Sequence, residues 1–183
     1  MDVALTTIAN AATESRIEDN IKSEEDFELF FRQHYANIHA LCHRILGNLA
    51  EADEAATEAF LQLHRNQQNI HTPLAWLKRC AISRSLDRLR QSQRRRFYEF
   101  LTPKRQAPLP DTEAAARQEL THVRKILAAI PKRDAELLLA RSEGFTYQEI
   151  AAQLNLNPNS VGKLMSRAET HFKQRYEALY GKR

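Results

Sequence analysis

Apolar residues recur every three or four positions along most of this chain, and that spacing predicts α-helices; no segment alternates as a half-buried strand would. Phe27, Phe30, Phe31, Tyr35, Ile38, Leu41, Cys42, Ile45 and Leu46 form one stripe. Ser23 with Asp26 reads as its start signal, and Gly47 with Asn48 as its stop. A second helix is expected from about Leu49 to His64, with Ala52, Ala56, Ala59, Phe60 and Leu63 inward. After the polar loop NQQNIH, Thr72 and Pro73 open a third. Leu74, Leu77, Ala81, Leu86 and Leu89 face its core, and it continues into RQSQRRR.

The pattern then breaks. Phe97 to Arg117 holds Pro103, Pro108 and Pro110 with no apolar period until its end, which reads as an interdomain linker. Beyond it, helices are expected at roughly 113–129, 132–142, 147–154 and 158–179, punctuated by Pro131 and Gly144. The fold class is therefore all-α: two small helical domains joined by a flexible linker, the second carrying a helix-turn-helix. Residues 1–22 are small and polar and read as an N-terminal extension.

The helix-turn-helix rests on TYQEIAAQLNLNPNSVGKLMSRA. Thr146 with Glu149 forms a capping box signature, and Ile150, Ala151 and Leu154 share one face. Asn155 stands where a left-handed residue ends a helix, Asn157 supplies the next cap, and Pro158 suits the first helical position. Val161, Met165, Ala168 and Phe172 then turn inward. Asn159, Ser160, Lys163, Ser166, Arg167 and Thr170 turn outward, as a helix entering the major groove requires.

Length and composition agree with small helical domains. The chain has 183 residues with only four Gly and six Pro. Its net charge of +4 is uninformative, but the distribution is not. Glu24, Glu25, Asp26, Glu28, Glu51, Asp53, Glu54 and Glu58 make the first part acidic, whereas Lys78, Arg79, Arg84, Arg88, Arg90, Arg94, Arg95 and Arg96 stand against Asp87 alone. Cys42 and Cys80 are isolated, so free buried thiols in a reducing cytoplasm are expected. The chain shows neither the basic start and apolar run of a signal peptide nor a stretch long enough to span a bilayer. His39 and His43 lie one turn apart beside Cys42, but no third ligand is placed, so no metal site is assigned. No nucleophile–base, paired-carboxylate or Gly-rich phosphate motif stands out, which excludes an assignment as an enzyme and leaves no cofactor to propose.

Four blocks in order resemble the extracytoplasmic-function class of bacterial sigma factors, in the sigma-70 family. FELFFRQHYANIHALCHRILGN is similar to that family's opening helix and EADEAATEAFLQLHR to its core-binding helix. PLAWLKRCAISRSLDRLRQSQRRR resembles its A-W-L-x-x-I-A-x-N-x-x-x-D-x-x-R segment, and IPKRDAELLLARSEGFTYQEIAAQLNLNPNSVGKLMSRA its helix-turn-helix. The resemblance implies a region 2 domain over 23–97, a linker over 98–117 that threads through polymerase, and a region 4 domain over 118–183. Implied partners are core RNA polymerase, promoter DNA and an anti-sigma factor.

The resemblance also places the sites. Asp53, Glu54, Glu58, Phe60 and Leu61 would dock on the clamp helices of the largest polymerase subunit, a reading that suits carboxylates around an apolar centre. Arg79, Ser83, Arg84, Arg88 and Arg90 would hold the melted minus-ten strand, because guanidinium groups pair with phosphates and stack on bases. Asn66, Gln67, Gln68, Asn69 and His71 would capture a flipped base. Asn159, Ser160, Lys163, Ser166 and Arg167 would read the upstream element. Trp76 reads as core packing. Ser83 replaces the family's Asn with a shorter reach, which bears on melting and minus-ten contacts, and Gly162 and Leu164 stand where basic residues are common, so the upstream preference is not inherited. Two rival readings are a stand-alone helix-turn-helix regulator, which leaves the acidic helix unexplained, and a helical adaptor that has lost promoter activity.

Overall fold

The computed structural model describes residues 21, 23–66, 70–100 and 114–181. Within them run seven helices: α1 Glu24–Leu46, α2 Leu49–Asn66, α3 Pro73–Phe100, α4 Ala114–Ala129, α5 Lys132–Ser142, α6 Tyr147–Leu154 and α7 Pro158–Tyr180. Residues 1–20 and 22, Gln67 to Asn69, the central stretch 101–113 and the last two residues, 182–183, lie outside the described residues.

Each boundary has a local cause. The Ser23 hydroxyl accepts from the Asp26 amide while the Asp26 carboxylate accepts from the Ser23 amide, both at 3.1 Å, which satisfies free donors at the start of α1. Gly47 ends that helix at φ 73°, with its amide bonded to the His43 carbonyl. Asn48 belongs to the next helix rather than the last one: its Oδ1 accepts from the Glu51 amide at 3.0 Å. Thr146 and Glu149 form the expected box on α6, Asn155 takes the left-handed conformation at φ 51°, and Asn157 Oδ1 caps α7 through the Asn159 amide.

The first three helices pack pairwise on one another. Ala52, Ala55, Ala56 and Ala59 are fully buried along α2, and their small side chains let its backbone approach α1 and α3 closely. Phe30 and Phe60 meet edge to face with centroids 6.4 Å apart, and Phe31 reaches the same ring at 4.8 Å. Ile21 is also buried here, so the packed core includes a residue of the expected N-terminal extension. Leu77, Ala81, Ile82, Leu86 and Leu89 supply the inner face of α3.

A second cluster of Leu137, Ala140, Phe145, Ile150, Ala151, Val161, Met165 and Ala168 holds the helix-turn-helix together. The two domains nevertheless do not have two separate cores. Ile126, Leu127 and Ile130 at the end of α4, with Ala135 of α5, join the N-terminal cluster, and α3 packs against α4, α5 and α6. Burying a side chain of this size contributes about 1.5–3 kcal/mol, so the shared contact is a substantial part of what holds the halves together. Polar ties surround it. Lys132 Nζ lies 2.7 Å from the Asp87 carboxylate, Arg44 pairs with Glu143, and Arg124 Nε donates to the Arg44 carbonyl at 3.2 Å. The helical backbone runs to Phe100 and resumes at Ala114, so helix occupies both ends of the expected 98–117 linker. No helix among the described residues is long and apolar enough to cross a membrane.

Candidate nucleic-acid and protein interfaces

The outward face of α2 carries Asp53, Glu54, Thr57, Glu58 and Leu61, all exposed, with Leu61 at 48%. Phe60 departs from the expected docking set. It is 2% exposed between Phe30, Phe31 and Tyr35, because its position on the 3.6-residue period falls on the same side as Ala56 and Leu63. Its role is to seat α2, whose exposed large apolar side chains are Leu61 and, one turn before Asp53, Leu49.

The carboxylates on this face are held from behind. The Tyr35 hydroxyl donates to Asp53, and that hydrogen bond, with burial, raises the phenol above its ordinary pKa. Arg88 reaches across from α3: its Nη1 donates to Glu54 Oε2 and its Nη2 to Glu58 Oε1, each at 2.6 Å. Burial alone would lower the guanidinium pKa, but these hydrogen bonds and the two negative charges hold it above the usual value. Arg84 donates to Gln62 Oε1 at 3.2 Å and Arg95 lies 3.8 Å from Glu51. Nothing in the periodicity of α2 or α3 taken singly reveals these pairings, since the partners are 30 and 34 residues apart.

The remaining α3 arginines divide by face. Arg79 lies over the Trp76 ring at 5.9 Å and lines a small cleft with Ile82, Glu136, Ala140, Ile150, Gln153 and Leu154, at the junction of the two domains. Trp76 itself is half-buried and packs against the N-terminal core. Arg90 is half-buried, with Nη2 donating to the Ile130 carbonyl at 2.5 Å. Ser83 is half-buried, whereas Arg84, Arg94 and Arg95 are exposed. Three of the arginines expected at one strand-binding surface, Arg79, Arg88 and Arg90, are thus engaged within the protein.

Of the expected base-capturing loop, Asn66 and His71 are exposed, and the Asn66 amide already donates to the Gln62 carbonyl at 2.7 Å. Gln67, Gln68 and Asn69 lie outside the described residues. Cys42 and Cys80 are buried free thiols. Burial pushes both thiols up, Cys80 to about 11, so neither is an activated nucleophile at neutral pH. No three His, Cys, Asp or Glu side chains group as a metal site among the described residues.

The outer face of α7 is different. Asn159, Lys163, Ser166 and Arg167 are exposed, Ser160 is half-buried with its hydroxyl donating to the Asn157 carbonyl at 2.7 Å, and Lys163 and Arg167 have no ion-pair partner among the described residues. Ser160, Lys163, Leu164, Ser166, Arg167 and Thr170 line one open groove. Asp134 is 1% exposed and bonds His171 Nδ1 at 2.6 Å, which ties α5 to α7. The expectation had missed this pair; a lone Asp early in α5 carries no signal of the histidine 37 residues away.

Two family models match the chain: Sigma-70 region 2 over residues 30–95 and Sigma-70 region 4 over residues 121–172. The extracytoplasmic-function sigma factor SigE of Mycolicibacterium smegmatis is 26% identical over 71% of this chain and 53% of its own length. The chain thus spans about half of that relative. The ferric citrate uptake sigma factor FecI of Escherichia coli is 26% identical over 79% of this chain and 87% of its own. Among solved structures, the sigma factor RpoE of Bartonella quintana, crystallised with the anti-sigma factor NepR, aligns with a TM-score of 0.53 at 16% identity. That alignment covers 84% of this chain and 98% of RpoE, a likeness of fold.

Proposed function

The chain belongs to the sigma-70 family, in its extracytoplasmic-function class, the factors that direct RNA polymerase to promoters, and from that premise we propose how its surfaces divide the work. The exposed face of α2, with Asp53, Glu54, Glu58 and Leu61, docks on a basic surface of core polymerase. Carboxylates around an apolar centre speed and orient such an encounter. The duplex upstream of the start site is read by α7 through Asn159, Ser160, Lys163, Ser166 and Arg167. The unpaired strand nearer the start site is held along α3, by Arg79, Ser83, Arg84, Arg88 and Arg90, with Asn66 to Asn69 and His71 beside it.

The observation that carries this reading is the pairing of two surfaces of opposite kind in one chain: an exposed acidic face on α2 and an outward polar-basic face on α7. A duplex-binding regulator needs only the second. Residues 23–97 and 118–183 are assigned as the two working domains, with 98–117 as the connection that passes through polymerase. As RpoE does in its crystal, this chain takes an anti-sigma factor as a second protein partner, and it acts in the cytoplasm, where the DNA is.

Transcription in vitro with purified core polymerase tests the assignment. Core plus this protein is expected to give discrete start sites that core alone does not. A protein that binds duplex DNA, leaves core unbound in a pull-down and yields no start sites is a stand-alone regulator, and the proposal falls.

A further inference from the structure

Arg141 is exposed in the last turn of α5, and its Nη1 donates to the Phe145 carbonyl at 3.0 Å, which fixes the guanidinium against the turn between α5 and α6. The same guanidinium lies over the Tyr147 ring, 5.5 Å from its centroid. No carboxylate pairs with it among the described residues. The two acidic side chains nearest in sequence are committed elsewhere: Glu143 pairs with Arg44, and Glu149 closes the capping box on Thr146. Arg141 is thus a cation held on two sides whose charge is not neutralised.

Tyr147 opens α6 and is 44% exposed. Its ring stands beside α7, because a Cβ at Gly162 would lie 3.8 Å from the ring's Cε2. Asn159, Gly162 and Ser166 follow one another along one row of α7, three and four residues apart, and all three are exposed. Gly162 is the gap in that row, and the Tyr147 ring with the guanidinium over it borders the gap. An α-helix with its side chains is about 10–12 Å across, and the major groove is about 12 Å wide. A helix seated there fills the groove, so groups standing beside its reading face meet the walls, which are phosphate backbone. A planar guanidinium suits a phosphate, and one already held by a ring and a carbonyl has less rotamer freedom to lose on binding.

We propose that Arg141 is a further duplex-binding residue, with Tyr147 as its positioning residue, and that it takes a backbone phosphate on the α6 side of α7. The proposal rests on the reading of α7 as the helix that meets the duplex. It adds a cation from α5, outside the recognition helix, at the edge where Gly162 supplies no side chain.

The test uses the full chain and a fluorescein-labelled duplex selected from a random-sequence pool by the unmodified protein, with affinity read by anisotropy over a range of salt. Arg141→Gln removes the charge but keeps an amide donor for the Phe145 carbonyl. It should bind about fivefold more weakly, and the slope of log affinity against log salt should shrink by about one, as loss of one phosphate contact requires. A side chain that only braces the turn would leave that slope unchanged. Arg141→Lys, which keeps the charge but not the planar fork, should retain the slope and recover part of the affinity. Arg32→Gln makes the same charge change on α1, where Arg32 pairs with Glu28, and should stay within about twofold of the unmodified protein. Tyr147→Ala should cost part of the affinity, and combining it with Arg141→Gln should add nothing to the loss from Arg141→Gln alone, because the ring acts through the guanidinium. Circular dichroism verifies that each variant is folded. Arg141→Gln with the affinity and slope of the unmodified protein, or a loss matched by Arg32→Gln, would overturn the phosphate contact, and additive losses in the double variant would overturn the role of Tyr147. Lys163→Ala with Arg167→Ala separates the proposal from the reading beneath it. If that variant binds like the unmodified protein, or if the pool yields no bound duplex, α7 is not the duplex-binding helix and both fall, whereas a loss there with Arg141→Gln unchanged removes Arg141 alone.

Discussion

The outer face of α7 and the arginine-rich face of α3 are both basic, and they stand in opposite states. On α7, Lys163 and Arg167 project from an open groove and pair with nothing among the described residues. On α3, Arg88 is bridged to two carboxylates, Arg90 is bonded to the Ile130 carbonyl, and Arg79 lines the cleft between domains. The α7 face proposed to read duplex DNA is thus open in the free chain, while much of the α3 face proposed to hold the unpaired strand is occupied by the protein's own groups. The contrast follows from geometry. α3 lies between the two domains and has neighbours on several sides, whereas Asn159, Lys163, Ser166 and Arg167 of α7 are exposed.

The contact that engages α3 depends most on its apolar part, so removing it should give the largest effect. Ile126→Ala, at a position with no exposure, should cost about 2–5 kcal/mol in urea denaturation, since the cavity adds to the lost transfer energy. Hydrogen exchange then sharpens the comparison. Faster exchange in α3 as well as α4 is expected, and loss of protection confined to α4 to α7 would show that the shared core does not restrain α3.

The exposed surface should respond in binding rather than stability. Lys163→Ala with Arg167→Ala should weaken duplex binding by about tenfold or more and reduce the slope of log affinity against log salt by about two, because each phosphate contact releases counterions. The denaturation midpoint should hardly move. An unchanged salt slope would mean that this face of α7 does not meet DNA.

Gly47 sits where α1 meets α4, and its substitution probes the same junction more gently. At φ 73°, a Cβ there would also come within 2.6 Å of the Arg124 guanidinium, so the side chain that bonds the Arg44 carbonyl must move. Gly47→Ala should cost about 1 kcal/mol from backbone strain. Little or no loss of stability would show that the turn relaxes without cost.

The smallest effect is on α7. A Cβ at Gly162 would meet only the Tyr147 ring, at 3.8 Å, an ordinary contact. Gly162→Ala should therefore stabilise the helix by roughly 1 kcal/mol or less, read as a modest rise in melting temperature. A destabilised variant would mean that the glycine is needed for the packing of α6 against α7.

Much of this molecule could be read along the chain because the relevant physics is local. A capping box needs two residues three apart, as at Ser23 and Thr146, and a left-handed stop needs one Gly or Asn, as at Gly47 and Asn155. Helical period alone placed Phe60 with Ala56 and Leu63 inside, and that reading prevailed over the one that set it on a docking surface. The sequence by itself thus determined the helices, the inward stripes, the turn between α6 and α7 and the separation of acidic from basic segments. Tertiary structure decided which charges are free. Arg88 meets Glu54 and Glu58, Lys132 meets Asp87, and Arg44 meets Glu143 across helices that approach only when α3 is covered on several sides. Charge is a property of each residue, but its availability depends on which neighbours packing brings within a few ångströms, and no linear spacing encodes that.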